Sequence, residues 1–134
     1  MNYLKQFQGR FIGIMKWEDF ETFWKLLKNQ SNDWFFYDLT TKVPTQKINI
    51  HNDLNKIHNI IKELHQERYC GIVYSDDLQQ PTMVKIFHPK NLGKSCGSSK
   101  NPPLPQWVIS KIKPIDLSYL LPKEKTNWLS KFFK

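Results

Sequence analysis

The sequence predicts an α+β fold: a single domain with a sheet of four to five strands, mostly antiparallel or mixed, and two helices packed on it. Three observations lead there. Two stretches repeat apolar residues at helical spacing, namely Trp17, Phe20, Phe23, Trp24 and Leu27, and then Leu54, Ile57, Ile60, Ile61 and Leu64. Short β-branched or aromatic runs surround them. Two of those runs, residues 70–74 and 82–88, are separated by a brief polar connection, which joins antiparallel neighbours. One hairpin and two helices do not supply the repeated crossovers of a doubly wound parallel sheet. The 134 residues, 40% hydrophobic and 14% aromatic, suit one core. Residues 1–122 are expected to form this domain, and residues 123–134 a basic amphipathic C-terminal tail.

Residues 10–15 read as a first strand, short and apolar around Gly13. The first helix starts at Trp17, with Glu18, Asp19 and Glu21 early and Lys25 and Lys28 late, so each sign sits at the favourable end of the helix dipole. The polar run 29–32 ends it, and residues 34–37 supply the aromatic density of a second strand. Residues 40–46, with Pro44, form a loop. Asn49 or Asn52 is placed to cap the second helix, whose five apolar residues fall within an arc of about 120°. After the hairpin at 76–81, residues 106–112 read as a fifth strand. Pro114 stops it, and 117–121 give a turn of helix before Pro122.

The net charge of +8 comes from 20 Lys and Arg against 12 Asp and Glu, and only Arg10 and Arg68 are arginines. A surface dominated by lysine attracts anions generally but lacks the planar fork that reads phosphates and guanine edges. The first residues carry no long apolar core with a small-residue cleavage site, and no run approaches the roughly 18 apolar residues of a membrane span. Two cysteines form neither a disulfide framework nor a CxxC motif. A cytoplasmic protein is expected.

Residues 91–105 are where the chain stops resembling core. Lys94, Ser95, Cys96, Gly97, Ser98 and Lys100 lie in a Gly/Ser turn followed by the proline arm Pro102-Pro103-Leu104-Pro105, against which Trp107 is placed to pack. Between Lys90 and Lys113 there are five lysines and no acidic residue, so this stretch carries the most one-sided charge. Gly93-Lys94-Ser95 resembles the end of a P-loop, but that motif needs Gly at position 88, where the chain has His. What survives is a backbone able to converge N–H groups on an anion.

Cys96 is the candidate catalytic residue of an alternative reading, a thiol-dependent enzyme, because Lys94 and Lys100 favour the thiolate. It needs a base, and the histidine nearest in sequence, His88, alternates with Val84 and Ile86 and so points inward. Cys70 reads as a small buried hydrophobe. His51, His58 and His65 recur every seven residues, about 10.5 Å apart along a helix, too far to share one ion. No metal and no cofactor is expected.

In the tail, Trp128, Leu129, Phe132 and Phe133 share a helical face among lysines, which suits peripheral membrane contact, a partner's groove or the chain's own domain. The preferred expectation is a small cytosolic binding or adaptor protein, not an enzyme, that engages an acidic protein partner through residues 91–105 and its tail. A weak nucleic-acid binder is the further alternative.

Overall fold

The computed structural model describes residues 2–90 and 104–120. It is an α+β domain with three helices and one five-stranded sheet. The order along the chain is α1 (Tyr3–Phe7), β1 (Ile12–Ile14), α2 (Trp17–Asn29), β2 (Phe35–Asp38), α3 (His51–Leu64), β3 (Val73–Ser75), β4 (Met83–Ile86), β5 (Trp107–Ser110), and a 3-10 turn at Ser118–Leu120. Strand order in the sheet is β1-β3-β4-β5-β2 and every pairing is antiparallel. The first and second strands of the chain are therefore the two edges, and β4 is the centre.

Two apolar layers sandwich the sheet. On one face, Phe20, Phe23, Trp24 and Leu27 of α2 and Leu54, Ile57 and Ile61 of α3 bury against Ile14, Val73, Val84, Ile86, Trp107 and Ile109. Trp24 is fully enclosed, and its indole N–H donates to the Leu54 carbonyl at 3.1 Å, which fixes α2 on α3 without leaving a buried donor unmet. Neither long helix has a side-chain cap of its own; Asn49, just before α3, accepts the His51 N–H at 2.8 Å instead.

The opposite face is closed by Tyr3 and Phe7 of α1 and by Leu117, packed on Tyr37, Met83 and Val108. Helix α1 is absent from the sequence-based reading. It is only five residues long, capped by Asn2, whose side chain accepts the Lys5 N–H at 3.2 Å. Because both faces are covered, all four residues of β5 are buried, and alternation disappears along that strand.

The strands are shorter than the sequence predicts, for local reasons. Gly71 takes φ +66° and donates its N–H to the Ile14 carbonyl at 2.9 Å. This left-handed residue bends the chain as it enters the sheet, so regular pairing begins at Val73 instead of at Cys70. At the other end of β3, Asp76 Oδ1 accepts the N–H groups of Thr82 and Met83 at 2.9 and 3.0 Å, and Asp77 Oδ1 accepts those of Gln79 and Gln80, both at 2.8 Å. These two carboxylates supply the acceptors that the turn's backbone lacks, and they fix the β3–β4 register. Among the described residues no helix is long and apolar enough to cross a membrane.

Candidate functional site

Lys94, Ser95, Cys96, Gly97, Ser98 and Lys100 lie outside the described residues, and so does the tail at 123–134. What is described is the frame that the 91–103 segment leaves and re-enters. It departs from the end of β4 through His88, Pro89 and Lys90, and returns through Leu104, Pro105 and Gln106 into β5. The Gln106 N–H donates to the Ile86 carbonyl at 3.1 Å, and its carbonyl accepts the Leu39 N–H at 2.8 Å. The departure and return points are thus neighbours across the β4–β5 pair.

Trp107, 5% exposed, belongs to the helix-side core. Its ring stacks on His88 with centroids 5.9 Å apart. His88 is buried too, as the alternation with Val84 and Ile86 predicts. Its Nδ1 accepts the Lys90 N–H at 3.1 Å. Burial, and then the charge of Lys90, hold its pKa below the ordinary value. The lone pair that a general base would use is engaged by a backbone amide. Whether His88 approaches Cys96 concerns a residue outside the described ones.

Cys70 is a free thiol enclosed in the helix-side core, where burial pushes its pKa up and makes it inert. The three histidines of the α3 region go three separate ways. His51 is exposed; His58 Nε2 meets Glu21 Oε1 at 2.7 Å; and His65 Nε2 reaches the Cys70 carbonyl. Among the described residues no group of three His, Cys, Asp or Glu side chains is placed to hold a metal ion.

Aromatic rings organise the described lysines. Lys111, just past β5, sets its Nζ 4.1 Å from the Trp34 ring centroid, and Lys47 stands 5.8 Å over Phe35. Burial first, and then repulsion from Lys47, lower the Lys111 pKa, with Asp33 opposing them. The two ammonium groups therefore feel each other, and neither is paired with a carboxylate among the described residues. Lys85 of β4 lies between Phe7 and Phe11. Neither grouping was legible in the sequence, since each joins residues far apart in the chain.

No protein-family model matches this chain, and no match is found among curated proteins or solved structures.

Proposed function

We propose that this chain is a small cytosolic binding or adaptor protein that engages an acidic macromolecular partner through its lysine-bearing surfaces. The observation that supports the reading is the Lys47–Lys111 pair: two like charges close enough to repel, held over rings, with Asp33 only partly offsetting them and no carboxylate in ion-pair contact among the described residues. An arriving anion relieves that repulsion. Lys111 and the 91–105 segment flank opposite ends of β5. Trp107 and Lys111 are four residue steps apart, about 13 Å in extended chain, more than one phosphate or carboxylate can bridge. Charge spread over a protein surface fits such spacing.

An acidic protein suits these surfaces better than a nucleic acid. The rings beneath the lysines are already packed, Trp34 at 0% and Phe35 at 8% exposure, and offer no free face for base stacking. With only Arg10 and Arg68 in the chain, bidentate readout of bases is also poorly provided for.

The test is to recover what the immobilised full chain retains from its native cell extract, and then to measure association rates with the recovered partner. Lys47→Glu with Lys111→Glu, and Lys94→Glu with Lys100→Glu, should each slow association and weaken its salt dependence. Lys25→Glu with Lys56→Glu, exposed on α2 and α3, is the control of equal charge change. Equal losses from all three pairs would mean that overall charge alone does the attracting, and recovery of nucleic acid only would replace the acidic-protein reading.

A further inference from the structure

Strand β1 forms one edge of the sheet and pairs only with β3. Which of its backbone groups face outward follows from the ladder. The Phe87 N–H donates to the Ile72 carbonyl at 2.8 Å and the Asp76 N–H to the Met83 carbonyl at 3.1 Å, so Ile72, Tyr74 and Asp76 turn their backbone to β4. Val73 and Ser75 turn theirs to β1, where they face Ile14 and Ile12. Gly13, opposite Tyr74, is left with its N–H and C=O pointing out of the sheet. Among the described residues nothing else bonds to them.

Such an edge is a template for one more strand, and it is commonly blunted by proline or by charge within the strand. Ile12–Ile14 carries neither. Ile12 and the adjoining Met15 are each 49% exposed. Charge stands instead at the two ends. The segment reads Arg10-Phe11-Ile12-Gly13-Ile14-Met15-Lys16, apolar between two cations and symmetric in character about Gly13. Arg10 and Lys16 are exposed and in no ion pair among the described residues; Glu18 and Asp19, the nearest acids in sequence, pair with neither. That symmetry selects the occupant. A second copy pairing antiparallel about Gly13 would set the Arg10 of each copy against the Lys16 of the other, and like charges directly opposite oppose pairing. Carboxylates at both ends of an incoming strand reverse the sign.

We infer that the β1 edge binds an extended strand of an acidic protein, apolar in its middle and acidic at both ends, by antiparallel pairing on Gly13. This rests on the acidic-partner reading above for the class of protein and adds the form in which it docks. The Gly13 N–H donates to a carbonyl of the incoming strand, the Gly13 C=O accepts the N–H of the same residue, and the terminal carboxylates meet Arg10 and Lys16. β1 and β2 are opposite edges, about 19 Å apart at the usual strand spacing, so this surface is separate from Lys47 and Lys111.

The probe is the end-blocked peptide Glu-Thr-Val-Thr-Val-Thr-Glu, titrated into the isotope-labelled full chain and followed by amide NMR. Saturable shifts should centre on Ile12, Gly13 and Ile14, and the Gly13 N–H should exchange with solvent more slowly in the bound state. Methylating the central Thr nitrogen of the peptide removes its bond to the Gly13 carbonyl and should weaken binding about tenfold. Replacing both Glu of the peptide by Lys, or making Arg10→Glu with Lys16→Glu in the protein, should weaken it about fivefold to tenfold at low salt. Lys47→Glu with Lys111→Glu should change it by less than about twofold, since the sites lie more than two screening lengths apart. Absence of saturable shifts along β1 would overturn the inference even if the capture experiment returns an acidic protein. Equal binding of the methylated peptide would overturn the strand pairing, and equal binding of the Lys-ended peptide would overturn the charge selection. Dimers of the chain that the peptide dissociates would put a second copy on this edge instead. Peptide bound at β1 as expected, with no acidic protein captured, would support the edge site and overturn only the Lys47 and Lys111 reading.

Discussion

The ring of Tyr74 fills the space that a β-carbon on Gly13 would need. An ideal Cβ there stands 2.6 Å from Tyr74 Cε2, and the two residues face each other directly across the β1–β3 pair. The Tyr74 ring is held in that place by an edge-on contact with Phe87, their centroids 5.6 Å apart. A glycine in an edge strand usually weakens it, and here the aromatic lid recovers part of the loss.

Gly13→Ala should accordingly destabilise the fold by about 1–3 kcal/mol, the cost of overpacking a fixed contact. Tyr74→Ala in the same chain removes the clash, so the double variant should lose less than the sum of the two single losses. Urea unfolding of the four proteins measures the coupling directly, and strict additivity would show that the ring moves aside freely.

Alkaline pH should first strengthen and then weaken the fold. Lys85 has its pKa lowered to about 8 in the folded state, so between pH 8 and its ordinary 10.5 the unfolded chain binds more protons and stability rises with pH. Tyr3 and Tyr37 have their pKa values raised above 10.0, chiefly by burial, so above pH 10 the unfolded chain loses protons that the folded one keeps, and stability falls. Thermal melts from pH 7 to 11 should pass through a maximum near pH 10. Lys85→Met should flatten the rising limb and melt higher at pH 7, by about 1 kcal/mol once the amine's partial exposure is allowed for.

Tyr37 anchors the chain after β5. Its hydroxyl accepts the buried Leu117 N–H at 3.1 Å. Tyr37→Phe leaves that amide without an acceptor, which should cost about 1–3 kcal/mol and lower the urea midpoint without changing the slope. An unchanged midpoint would mean that water takes the hydroxyl's place.

The tail at 123–134 should be dispensable for folding. The sequence sets residues 123–134 apart as a basic amphipathic tail behind Pro122. Removing residues 123–134 should leave the melting temperature nearly unchanged and reduce binding to anionic vesicles, to which Trp128, Leu129, Phe132 and Phe133 would contribute apolar contact. A large fall in melting temperature would assign the tail to the core and end the membrane reading.

The parts legible in the sequence are those with a long period or strong local chemistry. Trp17–Asn29 and His51–Leu64 announce themselves by five apolar residues each, and the β3–β4 hairpin by Asp76 and Asp77. Helix α1 shows only Tyr3 and Phe7 four residues apart after Asn2, too short a stretch for periodicity to register. Its presence is what half-buries Lys85 of β4, whose Nζ lies 4.3 Å from the Phe7 ring centroid. The sequence places Trp107 beside the proline arm, and with both faces of β5 covered its neighbours do not reveal that it joins the helix-side layer. The Lys47–Lys111 grouping depends on strand order, which local pattern does not encode.

Strand order also governs how the molecule can be made. β1 must wait for Val73–Ser75, and β2 has no strand neighbour until Trp107–Ser110 exists, when Phe35 finally meets Ser110. A chain emerging from the ribosome therefore presents Phe35, Phe36 and Tyr37 without their strand partner through most of its synthesis. Helix α2 can form early, but the sheet it rests on closes last. Long-range closure of this kind slows folding and exposes aromatic strand to neighbouring nascent chains, so the yield of soluble protein should respond more to the rate of elongation and to chaperone supply than to the stability of the finished fold.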